Sequence, residues 1–398
     1  MRKTLLILLT CASLSACGGS GSSSITTVAG SGSFLSSTVQ LDQQFVYALS
    51  TEQNQLVAYK IGAEEEGGHD HDHGHVHAQE DDHDHDHDHE HEHEGEATFE
   101  AVQLDGSPYT LPGGQALVLT VVAQGRALIV LFADGTLRNY PIDGVTGLLG
   151  DPVIVNSGLS APRKLRVAPD GDAIAVLGEN LALFPLSDTG ELAPLPAVIG
   201  NTEDWSDVTL AHHGGVGATQ VGAVGFSWEH GGPAAKVSEV SLPGAVRGGL
   251  ALAHEEVFVT NTEDQTVSQL AFDEETGDLQ FVATYELPEE LADPSTITAL
   301  YEGEDLLVGG SQAAVLLHHH DGELEDEGHA ELEETPSDFF ALPDSAFVLV
   351  AQAAGHGFHV LGLDGGLSVV AELEHELEGF TSFGLAQRSE TVTVSQGL

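Results

Sequence analysis

Hydrophobic residues follow one another in short runs from about residue 34 onward, and turns rich in Gly, Asp and Asn separate these runs. Short apolar runs between such turns are typical of β-strands. No stretch shows the helical spacing of apolar positions that marks a convincing amphipathic helix. The pattern therefore predicts an all-β protein.

The predicted strands recur at a period of roughly 40 residues, which is typical of propellers and solenoids. Residues 164–178 and 249–261 each contain an apolar strand, a tight turn and a second apolar strand. In the copy that starts at residue 249, a third and a fourth strand follow at residues 266–272 and 279–284. Further copies begin near Ala116, Asp207, Thr296 and Asp338. Four strands per repeat make one propeller blade, so we predict a β-propeller over residues 34–398, with seven blades or with eight.

The two ends of this region are predicted to share one blade. Residues 45–61 supply middle strands, whereas residues 381–394 supply inner strands that no outer strand follows. Joining them closes the ring and removes the free edges of the sheets.

Three short motifs resemble those of the lactonase-like, YVTN-type β-propellers. They are residues 257–261 (VFVTN), 167–171 (VAPDG) and 273–277 (DEETG). The resemblance covers most of residues 40–390. It implies a fold and leaves the function open, because one fold hosts many functions.

The charge of the chain limits its partners. With 63 acidic and 11 basic residues, the formal net charge is −52. No basic face is present to meet phosphates, so nucleic acid is not an expected ligand. The acidic surface raises the local concentration of cations, and adaptation to a salty habitat is an additional cause of such a composition. We expect a monomer.

The start of the chain resembles the signal peptide of bacterial lipoproteins. Residues 1–16 contain two basic residues, a short apolar run and the sequence LSA before Cys17. The resemblance implies cleavage before Cys17 and lipidation of that residue, and residues 17–33 read as a flexible tether. We therefore expect a lipid-anchored, periplasm-facing protein of the cell envelope, on the outer membrane rather than the inner one. Cys11 leaves with the signal, so metal ligands must come from His, Asp and Glu.

The most unusual stretch is a tract of alternating histidines and acidic residues within residues 64–97. Eleven of the 22 histidines lie here. They are His69, His71, His73, His75, His77, His83, His85, His87, His89, His91 and His93. The tract is too polar to be buried, so we predict a disordered insertion in the first blade. Imidazole and carboxylate together suit zinc, and nickel and copper also accept imidazole.

The predicted blade order brings other histidines to the same face as this tract. First-to-second turns and third-to-fourth turns lie on one face of a propeller, since successive strands are antiparallel. His212 and His213 fall in one first-to-second turn, and His254 falls in the next. We predict that these three, with a carboxylate such as Glu255, form a zinc site.

A second set of candidate ligands lies further along the chain. His318 and His320 end a third strand, and we predict them as further ligands on the same face. His359 and His375 fall within strands, so we interpret both as structural.

The combination of these features resembles the periplasmic zinc metallochaperones of Azt-type ABC transporters. It consists of the propeller, the His-rich loop near its start, the turn at residues 211–214 (AHHG) and a later His turn. The resemblance implies a protein that captures zinc and passes it to the solute-binding protein of a transporter. The lipid anchor and the longer His-rich loop depart from that pattern.

Two other functions remain open at this point. The lactonase-like fold raises the alternative of a hydrolase, but no nucleophile motif or acid–base spacing supports an enzyme. The second alternative is a β-propeller scaffold of the cell envelope in which the tract stores metal.

Overall fold

The computed structural model describes residues 26–28, 34–64 and 98–397, apart from residues 230, 245–247, 301–302, 321–322, 343–345, 353, 355 and 364–365. The described residues contain strands and turns, and no helix among them could cross a membrane. The histidine-rich insertion, the lipidated cysteine and the signal peptide were predicted for residues outside this part. Those predictions stay predictions.

The chain divides into two compact units. The larger unit comprises Asp42–Ile61 and Ala101–Glu390. The other comprises Met1–Leu41, Gly62–Glu100 and Thr391–Leu398, and in it Thr26 pairs with Thr38 in an antiparallel ladder. This short ladder falls partly within residues 17–33, where the sequence predicts a tether.

The strands are numbered in chain order and grouped by blade. The early strands are β1 (Thr26–Val28), β2 (Phe34–Ser50), β3 (Gln55–Glu64), β4 (Thr98–Gln103) and β5 (Tyr109–Thr110). Blade 2 contains β6 (Ala116–Val122), β7 (Ala127–Phe132), β8 (Thr136–Pro141) and β9 (Val153–Asn156). Blade 3 contains β10 (Lys164–Val167), β11 (Ala173–Leu177), β12 (Leu181–Pro185) and β13 (Ala197–Ile199).

The later blades follow the same order. Blade 4 contains β14 (Trp205–Ala211), β15 (Gly214–Thr219), β16 (Gly222–Trp228) and β17 (Ala234–Ser241). Blade 5 contains β18 (Leu250–Ala253), β19 (Glu256–Asn261), β20 (Thr266–Asp273) and β21 (Asp278–Glu286). Blade 6 contains β22 (Thr296–Leu300), β23 (Asp305–Gly310), β24 (Ala313–His320) and β25 (Glu323–Glu331). Blade 7 contains β26 (Pro336–Ala341), β27 (Phe347–Gln352), β28 (His356–Gly362) and β29 (Ser368–Glu378), and β30 (Phe380–Gly397) follows it.

Blade 1 joins the two ends of the chain. Strand β30 pairs with β2, which is followed outward by β3 and β4. The backbone N–H of Thr51 donates to the carbonyl of Gly379 at 3.1 Å, beside this junction. The described strands therefore form seven sheets and a seven-bladed β-propeller, which confirms the predicted fold and chooses seven blades over eight.

The hydrophobic core lies between successive blades. Every residue of β7, β11 and β27 is buried, whereas the outer strand β17 is mostly exposed. A sheet that is packed on both faces needs apolar residues at every position of its central strands. This requirement explains why the middle strands read as continuous apolar runs in the sequence.

Close packing inside blade 4 fixes the turn that carries His212. Trp205 and Trp228 are both buried. A Cβ atom at Gly217 would lie 2.0 Å from the Trp205 ring, so only glycine fits beside the indole. The first and second strands of this blade are thereby held as a rigid hairpin.

A cavity of about 290 Å³ lies where the first strands of all seven blades meet. Arg166 of β10 and Asp338 of β26 line it, and Nη2 of Arg166 lies 2.9 Å from Oδ2 of the buried Asp207. Burial alone raises the pKa of Asp207, but Arg166 and Lys164 outweigh this effect and hold the pKa below its usual value. The pKa of Asp338 is raised, chiefly by burial.

Candidate metal centre

The first-to-second turn of blade 3 carries two aspartates. Asp170 and Asp172 flank Gly171 in the connection between β10 and β11. Gly171 has a φ of 73°, in the left-handed region that favours glycine, and its N–H donates to the carbonyl of Ala168 at 2.8 Å. The tight turn brings both carboxylates to the same end of the blade.

The corresponding turn of blade 4 supplies an imidazole beside these carboxylates. Ala211 pairs with Gly214, so His212 and His213 form a two-residue connection between β14 and β15. Nδ1 of His212 lies 2.5 Å from Oδ2 of Asp170 and 3.7 Å from Oδ2 of Asp172. Among the described residues, these three side chains form the one group of at least three potential metal ligands whose donor atoms all lie within 4.8 Å.

The three groups differ in how tightly they hold protons. Burial and the neighbouring Asp170 raise the pKa of Asp172 to about 7. Burial also opposes ionisation of Asp170, but hydrogen bonds from Asp172 and His212 outweigh it and lower the pKa of Asp170. The hydrogen bond to Asp170 raises the pKa of His212, and the charges of Asp170, Asp172 and Glu274 act in the same direction.

The donor set fits a small divalent cation. Zinc accepts imidazole nitrogen and carboxylate oxygen at about 2.0–2.2 Å, so two ligands of a tetrahedral ion are about 3.4 Å apart. The separation of 3.7 Å between His212 and Asp172 is already close to that value. The ion would replace the proton between His212 and Asp170, and three protein ligands would leave a fourth position open for exchange.

Metal affinity at this site should fall steeply as the pH drops below about 7. His212 and Asp172 both hold protons more tightly than isolated side chains, and zinc must displace those protons. Each displaced proton lowers the apparent affinity roughly ten-fold per pH unit. Zinc titration calorimetry at pH 7.5 and pH 6, in buffers of different ionisation enthalpy, measures both the affinity and the protons released. Equal affinity at the two pH values would contradict the proton competition.

The other residues of the predicted zinc site lie near His212 without joining this group. His212 and His254 line the same cavity of about 500 Å³, together with Glu274. The ring of His254 packs towards Gly303 in the next turn, where an added Cβ would lie 3.0 Å from His254 Cδ2. The His213 ring contacts the His212 ring with a centroid distance of 4.3 Å, and Glu255 is exposed. The metal role of His213, His254 and Glu255 stays a prediction.

The histidines of blade 6 lie at the end of β24. His318 pairs across the sheet with Asp305, and its Nδ1 lies 2.8 Å from Asp305 Oδ1. The hydrogen bond to Asp305 raises the pKa of His318. The rings of His318 and His320 are 6.2 Å apart, between centroids. A carboxylate on Nδ1 leaves Nε2 of His318 available to a ligand, which is the usual arrangement behind a metal-binding histidine.

His319 points away from this pair into a polar network between blades 5 and 6. Its Nδ1 lies 3.4 Å from Glu256 Oε2, and Nε2 of the buried Gln269 donates to Glu256 Oε1 at 2.7 Å. Tyr285 Oη donates to Gln269 Oε1 at 2.6 Å. The hydrogen bonds within this network satisfy its buried polar groups, so its role is structural.

Sequence reasoning missed Asp170 and Asp172. Asp170 lies within the fragment VAPDG, and Asp172 directly follows it. In the sequence analysis this fragment indicated only the fold. The signal that identifies them is positional: the fragment forms the first-to-second turn of the blade before His212. Aligning the turns of neighbouring blades would have placed an Asp-x-Asp motif beside the histidine.

Similar structures establish the fold and not the chemistry. The periplasmic gluconolactonase PpgL from Pseudomonas aeruginosa is 15% identical, with a TM-score of 0.62 over 89% of this chain and 99% of that one. A candidate 6-phosphogluconolactonase from Bacteroides fragilis is 14% identical, with a TM-score of 0.61 over 88% and 98%. The chain has the fold of the lactonase-like β-propellers. The β-propeller domain of Cps50 (Swd1) from Myceliophteria thermophila is also similar, at 12% identity and a TM-score of 0.55 over 72% and 98%.

At these identities the lactonase-like fold does not define an activity. No family model matches the chain, and no curated protein matches it. The chemistry must therefore be inferred from the residues of this propeller.

Proposed function

We propose that this protein binds a divalent metal ion, zinc in the first place, at Asp170, Asp172 and His212. The observation that carries the proposal is the gathering of two carboxylates and one imidazole within 4.8 Å at one end of the propeller. Their distances need only a small outward movement to admit an ion of zinc's size. The formal net charge of −52 attracts cations to this surface.

The proposed role is capture of zinc followed by transfer to a partner. The tract at residues 69–93 offers many weak imidazole and carboxylate sites, which exchange ions rapidly. The site formed by Asp170, Asp172 and His212, here called the Asp170 site, holds one ion more tightly. It keeps a coordination position open for a competing ligand. The resemblance to Azt-type zinc metallochaperones suggests that the acceptor is a zinc solute-binding protein of an ABC transporter. A lipid on Cys17 would keep the exchange at the membrane surface of the periplasm.

Deleting residues 64–97 should remove most of the zinc stoichiometry and leave one tight equivalent. The deletion removes the whole tract of eleven histidines, whereas Asp170, Asp172 and His212 remain in blades 3 and 4. Zinc titration in competition with a chromophoric chelator separates the weak class from the tight one. An unchanged stoichiometry after deletion would contradict the capture role.

Hydrolysis of a lactone is the second candidate function. The structural likeness favours it more than it favours metal transfer, because PpgL and the Bacteroides fragilis protein carry lactonase names. The expectation from the sequence that this chain is not an enzyme therefore has no support from the comparisons. Arg166 in the central cavity is the cation that an anionic substrate would meet.

Turnover of 6-phosphoglucono-δ-lactone, whose phosphate supplies the negative charge that Arg166 would meet, distinguishes the two functions. If the protein binds metal and is not a lactonase, then in EDTA it adds nothing to the rate of spontaneous lactone opening. A rate above that background which persists in EDTA and disappears in Arg166→Lys would establish the hydrolase instead. Lysine keeps the charge but not the planar donor geometry of arginine.

A further inference from the structure

A cavity in blade 7 lies away from the proposed metal centre. Its volume is about 660 Å³. The cavity is lined by Gln352 at the end of β27, His359 in β28, and Glu333 and Glu334 before β26. Strand β29 contributes Glu372, Leu373, His375 and Glu376. The second-to-third loop of the blade follows Gln352, so the cavity opens on the face opposite to the Asp170 site.

The wall of this cavity is strongly acidic. Glu333, Glu334, Glu372 and Glu376 all line it, and no lysine or arginine of the described residues does. Carboxylates that surround a concave site without a cation create a negative potential that a positively charged ligand lowers. The potential therefore selects for a cation.

Two buried side chains in the wall each have one polar atom without a hydrogen-bond partner among the described residues. Gln352 is 2% exposed and its Nε2 lacks a partner, and His359 is 7% exposed and its Nδ1 lacks one. His359 also lies directly opposite Glu372 in the ladder of β28 and β29. Buried polar groups are nearly always paired, and leaving one unpaired costs free energy. Gln352 and His359 both line the cavity, so a ligand there can pair these atoms once the side chains turn towards it.

A metal ion does not fit these observations. Among the described side chains, the Asp170 group is the one set of three ligands gathered within 4.8 Å. The cavity carboxylates are thus too dispersed to surround a single ion. Nδ1 of His375 accepts a hydrogen bond from the N–H of Leu377 at 3.0 Å, which leaves its other nitrogen to donate when the ring is neutral. Dispersed acceptors around an apolar wall of Phe358 and Leu373 suit a larger organic molecule.

We propose that this cavity binds a small organic cation that also carries a carbonyl or hydroxyl oxygen. The ammonium or guanidinium group lies among the glutamates, with Glu372 beside His359. The oxygen accepts a hydrogen bond from Nε2 of Gln352. The alkyl part packs on Phe358 and Leu373. Amides of basic amino acids have this combination of groups, and simple diamines lack the oxygen.

The test is calorimetric titration of the full-length protein with L-argininamide at pH 7.5, in 150 mM salt and EDTA. The salt screens general attraction to the acidic surface. EDTA removes metal, so this result is independent of zinc binding at Asp170. Putrescine serves as the comparison ligand, with two ammonium groups and no oxygen. Glu239→Gln is the matched control variant, because Glu239 is an exposed glutamate on the outer strand of blade 4.

Argininamide should bind, and putrescine should bind at least about ten-fold more weakly. Glu372→Gln and Gln352→Leu should each weaken argininamide about ten-fold, equivalent to about 1.4 kcal/mol. Glu239→Gln should leave the affinity unchanged. If Gln352→Leu fails to fold, Glu372→Gln, a change at an exposed residue, and the comparison with putrescine still test whether the cavity binds argininamide. Absence of argininamide binding at millimolar concentration would overturn the proposal, as would an equal loss in Glu239→Gln.

Discussion

Replacing His212 with Gln should abolish the tightest class of zinc binding, with a loss of at least about 100-fold in affinity. Even a side chain one step removed from a bound metal contributes about 10–100-fold to affinity, and His212 is proposed to be a direct ligand. It is also the one nitrogen donor of the group, because its partners are Asp170 and Asp172. Competition between the protein and a chelator of known zinc affinity measures the loss, and the weaker class of sites should be unchanged.

The neighbouring histidine provides a matched control. His213 lies in the same turn and contacts His212, but it is outside the group of three ligands. His213→Gln should therefore change zinc affinity by less than about three-fold, on the order of the small effects expected of exposed substitutions. Equal losses in the two variants would favour the ligand set predicted from the sequence, in which both histidines bind the ion. Circular dichroism establishes that both variants keep the β-propeller fold.

Replacing Arg166 with Met should destabilise the propeller by about 3–5 kcal/mol, the effect expected when one partner of a buried ion pair is removed. Asp207 is 3% exposed, and Arg166 is the cation within 2.9 Å of it. Without the guanidinium group, the carboxylate either stays charged in a poorly solvated site or takes up a proton. The free energy of unfolding from urea titration, in EDTA, measures the effect.

Two further variants show whether the pair itself is responsible. The double variant Arg166→Met, Asp207→Leu removes both charges, so it should recover most of the lost stability. Arg126 is an exposed arginine in a turn of blade 2, and Arg126→Met should change the free energy of unfolding by less than about 0.5 kcal/mol. A double variant no more stable than Arg166→Met would show that packing of the arginine stem matters more than its charge.

The fold could be predicted from the sequence because local pattern determines most of it. Fully buried central strands read as apolar runs, and each tight turn needs residues such as Gly171 that adopt a positive φ. The closure of the ring by β30 and β2 could also be predicted, because the last predicted strands lacked outer partners. The number of blades was open at seven or eight, since a strand such as β5, with two residues, carries little pattern of its own.

Only part of the candidate metal centre could be predicted from the sequence. His212 was found because paired histidines in a glycine-rich turn are conspicuous. Asp170 and Asp172 were not, because aspartates beside glycine are common in turns for purely conformational reasons. Their importance arises from their proximity to His212, which follows Asp170 by 42 positions in the sequence. Such a contact depends on how far each blade rotates relative to the next, which a repeat period does not reveal.

The most direct test of the proposed metal centre is a crystal structure of the protein grown with zinc, with anomalous data collected on both sides of the zinc absorption edge. We expect a zinc peak among Asp170, Asp172 and His212, with metal–ligand distances of about 2.0–2.2 Å. A zinc-soaked crystal with no peak at these three side chains, although zinc binds elsewhere on the chain, would contradict it.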